Sequence, residues 1–262
     1  MKILMCDLTH DTIALANEVF PLNIGLVASH LIKKFGTKTD VELSKFIEEA
    51  EELIKSNVYD LIAFSNYPWN IEAGLQLSRM AVNKNANTVI IFGGPNFPYS
   101  ENEQIRFLKR NSEIDAYVFQ AGELPFSELV GFLMNEPVEI RKHLLEEVSL
   151  KGIVSLDKNR NRLYGGPIPE PKNLDFIPSP YLEGLLDKFF LDRRLSPMIQ
   201  TNRGCPFSCT FCADGHSSQN KVKSFSVERV KSELLYIAER IDPKLQKTLF
   251  ISDLNFGMLG RD

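Results

Sequence analysis

Residues 59–94 read Tyr59-Asp60-Leu61-Ile62-Ala63-Phe64-Ser65, then Asn66-Tyr67-Pro68-Trp69-Asn70, then a stretch from Ile71 to Asn87, then Thr88-Val89-Ile90-Ile91-Phe92-Gly93-Gly94. The first and last runs are short, apolar and bounded by turn formers, which is the signature of strands buried on both faces. Between them Ile71–Val82 repeats its apolar residues at helical spacing. A strand apolar on both faces needs cover on both sides, and a parallel sheet between two layers of helices supplies it. This strand–helix–strand unit decides the fold class, and the sequence on either side repeats it.

Before it, Ile3–Asp7 reads as a first strand. Ile24–Phe35 reads as a helix, with Leu26, Val27, Leu31 and Phe35 near one face. Thr39–Leu43 is a weaker strand, and Ser44 is placed to cap a helix over Lys45–Lys55. After it, Glu101–Lys109 reads as helix, Asp115–Phe119 as strand and Pro125–Met134 as helix. Five strands alternating with helices predict an α/β fold, a flavodoxin-like doubly wound parallel sheet, over residues 1–137. Such sheets bind ligands beyond the carboxyl ends of their strands. The segments expected there are Leu8-Thr9-His10, Asn66-Tyr67-Pro68-Trp69, Gly94-Pro95-Asn96 and Gln120-Ala121-Gly122-Glu123. They are rich in Gly, Pro, Asn and aromatic residues and include the single tryptophan.

The character changes after residue 137. Ile153–Leu156 and Arg162–Tyr164 form an expected β-hairpin. Pro167, Pro169, Pro171, Pro178 and Pro180 then mark an ordered linker, so residues 138–195 read as hairpin and linker. From 196 the β/α pattern resumes: a strand at Met198–Thr201, a cysteine-rich loop, and a helix capped by Ser226. Its apolar stripe is Val227, Val230, Leu234, Ile237 and Ile241. A strand follows at Thr248–Ile251.

The 262 residues carry a net charge of −4, with 44% hydrophobic and 24% charged residues. That balance suits a globular chain and lacks the basic face expected of a nucleic-acid binder. No apolar run approaches the ~18 residues of a membrane span, and the N-terminus does not read as a signal peptide. A cytoplasmic location is the expectation, with neither nucleic acid nor membrane as partner. No G-x-G-x-x-G or Walker motif is present to support nucleotide binding.

The chain has four cysteines. Three of them fall in Arg203-Gly204-Cys205-Pro206-Phe207-Ser208-Cys209-Thr210-Phe211-Cys212, with spacing C-x3-C-x2-C. Clustered thiols in such a chain point to metal binding rather than to a disulfide scaffold. Iron–sulfur clusters are held by thiolates, four of them in a complete shell. Three on one loop would leave one iron of a [4Fe–4S] cluster open to an exogenous chelator. The loop is short, so little closure entropy opposes convergence of its thiols. Cys6 lies on the first strand and reads as a small buried residue. The alternative is a non-enzymatic zinc module in which His216 completes a Cys3His shell, although the spacing matches none of the common paired C-x2-C zinc patterns.

The string Thr201-Asn202-Arg203-Gly204-Cys205-Pro206-Phe207-Ser208-Cys209-Thr210-Phe211-Cys212 resembles the radical SAM superfamily in the version that carries a cobalamin (B12)-binding domain at its N-terminus. The resemblance extends to the hairpin, to Ile177-Pro178-Ser179-Pro180-Tyr181, and to Asp253-Leu254-Asn255-Phe256-Gly257-Met258. It implies that residues 196–262 hold the first units of a radical SAM β/α partial barrel. It further implies that Cys205, Cys209 and Cys212 ligate a [4Fe–4S] cluster, with S-adenosylmethionine (SAM) chelating the open iron and contacting Phe211 and Asp253. One-electron reduction, from a donor such as flavodoxin or ferredoxin, would cleave SAM to a 5′-deoxyadenosyl radical. The methyl group would go to an unactivated carbon of a small-molecule or peptide substrate by way of cobalamin.

For cobalamin, the resemblance points to Asn66, Tyr67, Gly93, Gly94, Gln120, Gly122 and Glu123. The Asp-x-His-x-x-Gly pattern that provides a lower-axial histidine in mutases is absent, because His10 falls out of register after Asp7. No histidine is therefore expected on the cobalt's lower face, and residues 66–70 are expected to cover it. A radical SAM enzyme without cobalamin is the second reading. A full eight-unit barrel takes about 250 residues, so residues 197–262 have room only for its first units. This chain by itself is therefore expected to turn over little or no SAM.

Overall fold

A computed structural model describes residues 1–10, 18–210, 212, 221–244 and 248–257. In chain order the elements are β1 (Lys2–Thr9), α1 (Leu22–Phe35), β2 (Asp40–Phe46), α2 (Ile47–Ser56), β3 (Leu61–Ser65), α3 (Ile71–Lys84), β4 (Val89–Gly93), α4 (Glu101–Arg110), β5 (Ala116–Val118), α5 (Glu123–Met134), α6 (Arg141–Leu145), β6 (Ile153–Leu156), β7 (Arg162–Tyr164), β8 (Met198–Ile199), β9 (Asn202–Arg203), β10 (Lys223–Ser224), α7 (Val227–Arg240) and β11 (Phe250–Ile251). The chain divides into two compact units. One comprises Met1–Asn17 and His30–Pro169, the other Glu18–Ser29 and Glu170–Asp262, so the division falls inside α1.

The first unit is a seven-stranded sheet in the order β2-β1-β3-β4-β5-β6-β7. Its first five strands pair in parallel. The order 2-1-3-4-5 is that of the flavodoxin-like doubly wound fold, whose switch point lies between β1 and β3. The decisive apolar runs sit at the centre of this sheet. Ile62, Phe64, Ile90 and Phe92 are buried in one core with Leu4, Cys6, Tyr117 and residues of α2 and α3.

The structure departs from the sequence reading at the hairpin. β6 pairs antiparallel with β5, and β7 with β6. The hairpin therefore extends the sheet instead of opening a linker, and the first unit runs to Pro169. A second departure concerns Ser44. Strand β2 continues through Phe46 and α2 begins only at Ile47, so Ser44 is a strand residue, not a helix cap. Its hydroxyl and the Lys45 N–H both donate to the Glu49 carboxylate, at 2.8 and 3.2 Å. This ties the strand end to the first turn of the helix.

The second unit contains the proline-rich stretch from Glu170 onward, which packs as a core. Phe20, Leu174, Ile177, Tyr181, Leu186, Phe189 and Phe190 are all buried. Phe20 meets Phe190 edge-on with ring centroids 4.9 Å apart, a favoured aromatic arrangement. The Tyr181 hydroxyl donates to the Met198 carbonyl at 2.7 Å and accepts from the Met198 N–H at 3.1 Å, which fixes β8. Ser179 donates to Glu233 Oε1 at 2.6 Å, and Arg229 reaches the same oxygen at 2.7 Å and the Ile177 carbonyl at 2.8 Å. Residues 177–181 are thus bolted to α7 and to β8.

β8 pairs in parallel with β11, as successive strands of a β/α pattern do. Ser226 caps α7 by accepting from the Arg229 N–H at 3.2 Å. The apolar stripe expected on α7 is only partly covered: Ile237 is buried, while Val227 and Leu234 are exposed among the described residues. None of the helices among the described residues is long and apolar enough to cross a membrane.

Candidate functional site

The cysteine loop leaves β9, which forms a short antiparallel ribbon with β10. Gly204, at the exit, has φ of +88°, a left-handed conformation that glycine enters without strain. Cys205 is partly covered, whereas Cys209 and Cys212 are exposed, and all are free thiols. The Cys212 N–H donates to the Cys209 carbonyl at 3.1 Å, closing a tight turn between the last two cysteines. Among the described residues, no group of three or more His, Cys, Asp or Glu side chains is already arranged around a metal position. Free thiols have no mutual attraction, and it is ligation itself that draws such donors together. In donor chemistry the set fits an iron–sulfur cluster: three soft sulfurs on one short loop. Phe211 and His216, named above for SAM and for the zinc alternative, lie outside the described residues.

The run after β11 holds this loop at its root. The Ser252 N–H donates to the Ile199 carbonyl at 2.9 Å. Asp253 accepts from the Thr201 N–H at 2.8 Å, from the Asn202 N–H at 3.2 Å, from Asn202 Nδ2 at 3.0 Å and from the Thr201 hydroxyl. Both of its oxygens are engaged, so the structure uses the residue expected at SAM to brace the turn from β8 into β9. Asn255 Nδ2 then donates to Cys205 Sγ at 2.9 Å. Arg203 donates to Gln200 at 2.7 Å and, with Lys223, to Glu170, itself nearly buried. The sequence reading left Asn255 and Glu170 without a role, because their partners lie far away in sequence.

The residues expected at cobalamin lie at the carboxyl ends of β3, β4 and β5 and in the segments that follow, as far as the start of α5. Asn66 is fully buried. Its amide donates to the Asn96 carbonyl at 2.8 Å and to the Tyr117 hydroxyl at 3.1 Å, and its Oδ1 accepts from Asn96 Nδ2 at 3.2 Å. It locks the loops after β3 and β4 together. Glu123 is also buried, in the first turn of α5, where its backbone meets His30. Burial holds the His30 imidazole below its ordinary range, and its ring lies 2.8 Å from the Ser127 hydroxyl. His30 thus packs between α1 and α5.

Gly94 has φ of +121°, and a Cβ there would lie 2.9 Å from the Asn66 carbonyl oxygen and 3.0 Å from its nitrogen. Its smallness therefore serves the approach of two loops. Gly93 has a related function, since an added Cβ would come within 3.3 Å of Val118 Cβ. Gly94→Ala is expected to destabilise the first unit by about 1–3 kcal/mol, the usual range for a strained backbone position. Chemical denaturation followed by Trp69 fluorescence checks this, and a change within about 0.5 kcal/mol would refute it.

Exposed residues remain on these loops. Tyr67 stacks on Trp69 with centroids 4.6 Å apart and planes within 8°, and Trp69 keeps 41% of its surface exposed. Tyr99 is exposed as well and meets Phe119 edge-on at 5.8 Å. Gln120 is exposed and has φ of +71°, an uncommon conformation for a residue with a side chain. Gly122 is partly exposed at the start of α5.

The chain thus combines a flavodoxin-like unit with a C-x3-C-x2-C loop that leaves a short β-ribbon. No protein-family profile matches it. It is 30% identical over 210 residues to the 2-(S-pantetheinyl)-carbapenam-3-carboxylate methyltransferase of Streptantibioticus cattleyicolor, covering 78% of this chain and 28% of that protein. It is 28% identical over 208 residues to the cobalamin-dependent radical SAM methyltransferase TokK of Streptomyces tokunonensis, with the same coverage of 78% and 28%. Among solved structures, it matches the radical enzyme OxsB, determined with aqua-cobalamin and SAM bound, at a TM-score of 0.70 and 18% identity over 97% of this chain and 34% of that one. It matches the methyltransferase TsrM of Kitasatospora setae, determined with cobalamin and a [4Fe–4S] cluster, at 0.66 and 12% identity over 98% and 48%. The chain is thus similar in sequence to these two methyltransferases and shares the fold of the matching regions of OxsB and TsrM. It spans less than a third of the length of these curated relatives.

Proposed function

We propose that this chain belongs to a cobalamin-dependent radical SAM methyltransferase, with the cysteine loop as its cluster site and the loops after β3, β4 and β5 as its cobalamin site. The C-x3-C-x2-C loop, rooted on the β8–β11 pair, carries the reading. Cys205, Cys209 and Cys212 would hold a [4Fe–4S] cluster, and Phe211 would meet the adenine of SAM. When bound, cluster and cobalamin supply one-electron cleavage of SAM and methyl transfer to an unactivated carbon. The protein's share is to bind, orient and shield. Gly204 turns the chain into the loop, Asp253 holds the loop's root, Tyr67 and Trp69 would offer an aromatic face to the corrin, and Gln120 and Gly122 on the loop after β5 would contribute further contacts. Asn66, Gly93, Gly94 and Glu123 support these loops from beneath. We assign the reaction to the cytoplasm, with flavodoxin or ferredoxin as electron donor and a small molecule or peptide as substrate.

Anaerobic reconstitution with iron and sulfide, followed by metal analysis and visible spectra with and without hydroxocobalamin, tests the proposal. Bound iron and sulfide together with retained corrinoid are the expected result. Iron without corrinoid affinity would remove cobalamin from the reading. A colourless protein holding one zinc would overturn the radical chemistry.

A further inference from the structure

We infer that Asn255 is a positioning residue for the metal centre, which donates an N–H hydrogen bond to the sulfur of Cys205 and so raises the reduction potential of the cluster that this sulfur would ligate. The inference rests on the cluster assignment proposed above. Three observations carry it. First, Asn255 Nδ2 lies 2.9 Å from Cys205 Sγ although the residues are 50 positions apart. Second, the contact is the last of a series. Ser252 holds Ile199, Asp253 holds Thr201 and Asn202, and Asn255 reaches Cys205. The amide thus comes from a run already fixed against the root of the loop. Third, Cys205 is the most covered of the three thiols, while Cys209 and Cys212 are exposed. The loop is therefore asymmetric, with one sulfur gripped and two presented.

A metal-bound thiolate can only accept hydrogen bonds, so the amide nitrogen is the atom that belongs beside it. An N–H aimed at a ligand sulfur stabilises negative charge on the centre. The reduced state carries one more negative charge than the oxidised state and gains more. Hydrogen bonds to the sulfurs are among the recognised determinants of cluster potential. An outer partner of this kind also orients the first ligand.

The test compares reconstituted wild type with Asn255→Leu, Asn255→Asp and Asn255→Gln by potentiometric titration of the reduced-cluster EPR signal, with iron and sulfide content measured alongside. The midpoint is expected to fall in Asn255→Leu, which removes the donor. It should fall further in the near-isosteric Asn255→Asp, which sets a carboxylate against the sulfur. Asn255→Gln, which keeps an amide, should lie between wild type and Asn255→Leu. Midpoints in Asn255→Leu and Asn255→Asp equal to or above the wild-type value would overturn the inference. Should Asn255→Leu fail to assemble, Asn255→Asp decides the matter alone. A wild type that takes up no iron or sulfide refutes the cluster assignment itself, and is recognised before any variant is compared.

Discussion

Replacing any one of Cys205, Cys209 and Cys212 by alanine is expected to abolish iron and sulfide uptake on anaerobic reconstitution, while Cys6→Ala leaves it unchanged. The effect should exceed the ~10–100-fold loss of affinity that removing an outer-sphere partner costs, because each of the three is a direct ligand in a set already one short of a complete thiolate shell. The loop has no described substitute nearby, since no other His, Cys, Asp or Glu completes a metal-binding group among the described residues. Cys6 serves as an internal control because it is buried in β1, within the core of the other unit. Iron and sulfide analysis and the visible charge-transfer bands read the outcome. If single alanine variants keep a full complement of iron, the three-thiolate assignment is wrong. If wild type and variants all bind zinc in graded amounts instead, the Cys3His alternative gains.

The cysteines could be read from sequence because their spacing is itself the chemistry. The parallel strands could be read because burial on both faces leaves unbroken apolar runs such as Leu61–Phe64 and Val89–Phe92. Other features left weaker marks. The hairpin 153–164 was expected, but its membership of the sheet was not, because a two-stranded unit looks the same in sequence whether free or paired to β5. The proline-rich stretch read as linker because proline counts suggest a loop. Yet Ile177, Tyr181, Phe189 and Phe190 are spaced through it and all are buried.

Asn66 and Glu123 read as ligand contacts because polar residues at strand ends often are. In the fold both are buried, whereas Trp69, Tyr99 and Gln120 are exposed. Asn255, Glu170 and the partners of Asp253 could not be paired from sequence. Each contact joins residues roughly 33 to 53 positions apart, a separation that only the fold closes.

The misreading of Ser44 has an energetic counterpart in the residue beside it. Lys45, read as the first residue of the helix that Ser44 would cap, is fully buried at the end of β2. Its Nζ lies 2.8 Å from Asp7 Oδ2, with side-chain exposures of 0% and 4%. Asp7 Oδ1 accepts from the Ser65 hydroxyl. The cluster joins β2, β1 and β3 at the switch point of the sheet, so three strand ends depend on one ion pair.

Lys45→Met is expected to destabilise the first unit by roughly 3–5 kcal/mol, the range for removing one partner of a buried pair, because it leaves the Asp7 carboxylate uncompensated in the interior. The double variant Asp7→Leu, Lys45→Met should recover most of that loss, since an apolar pair of similar volume avoids desolvating two charges. Residual cost would come from the Ser65 hydroxyl, which loses its acceptor. Denaturant titration read by Trp69, the only tryptophan of the chain, isolates this unit from the other. Lys45→Met with a midpoint within about 0.5 kcal/mol of wild type would show that the pair bears no load. A double variant as unstable as the single would mean that the loss comes from disrupted packing at the strand ends, not from the orphaned charge.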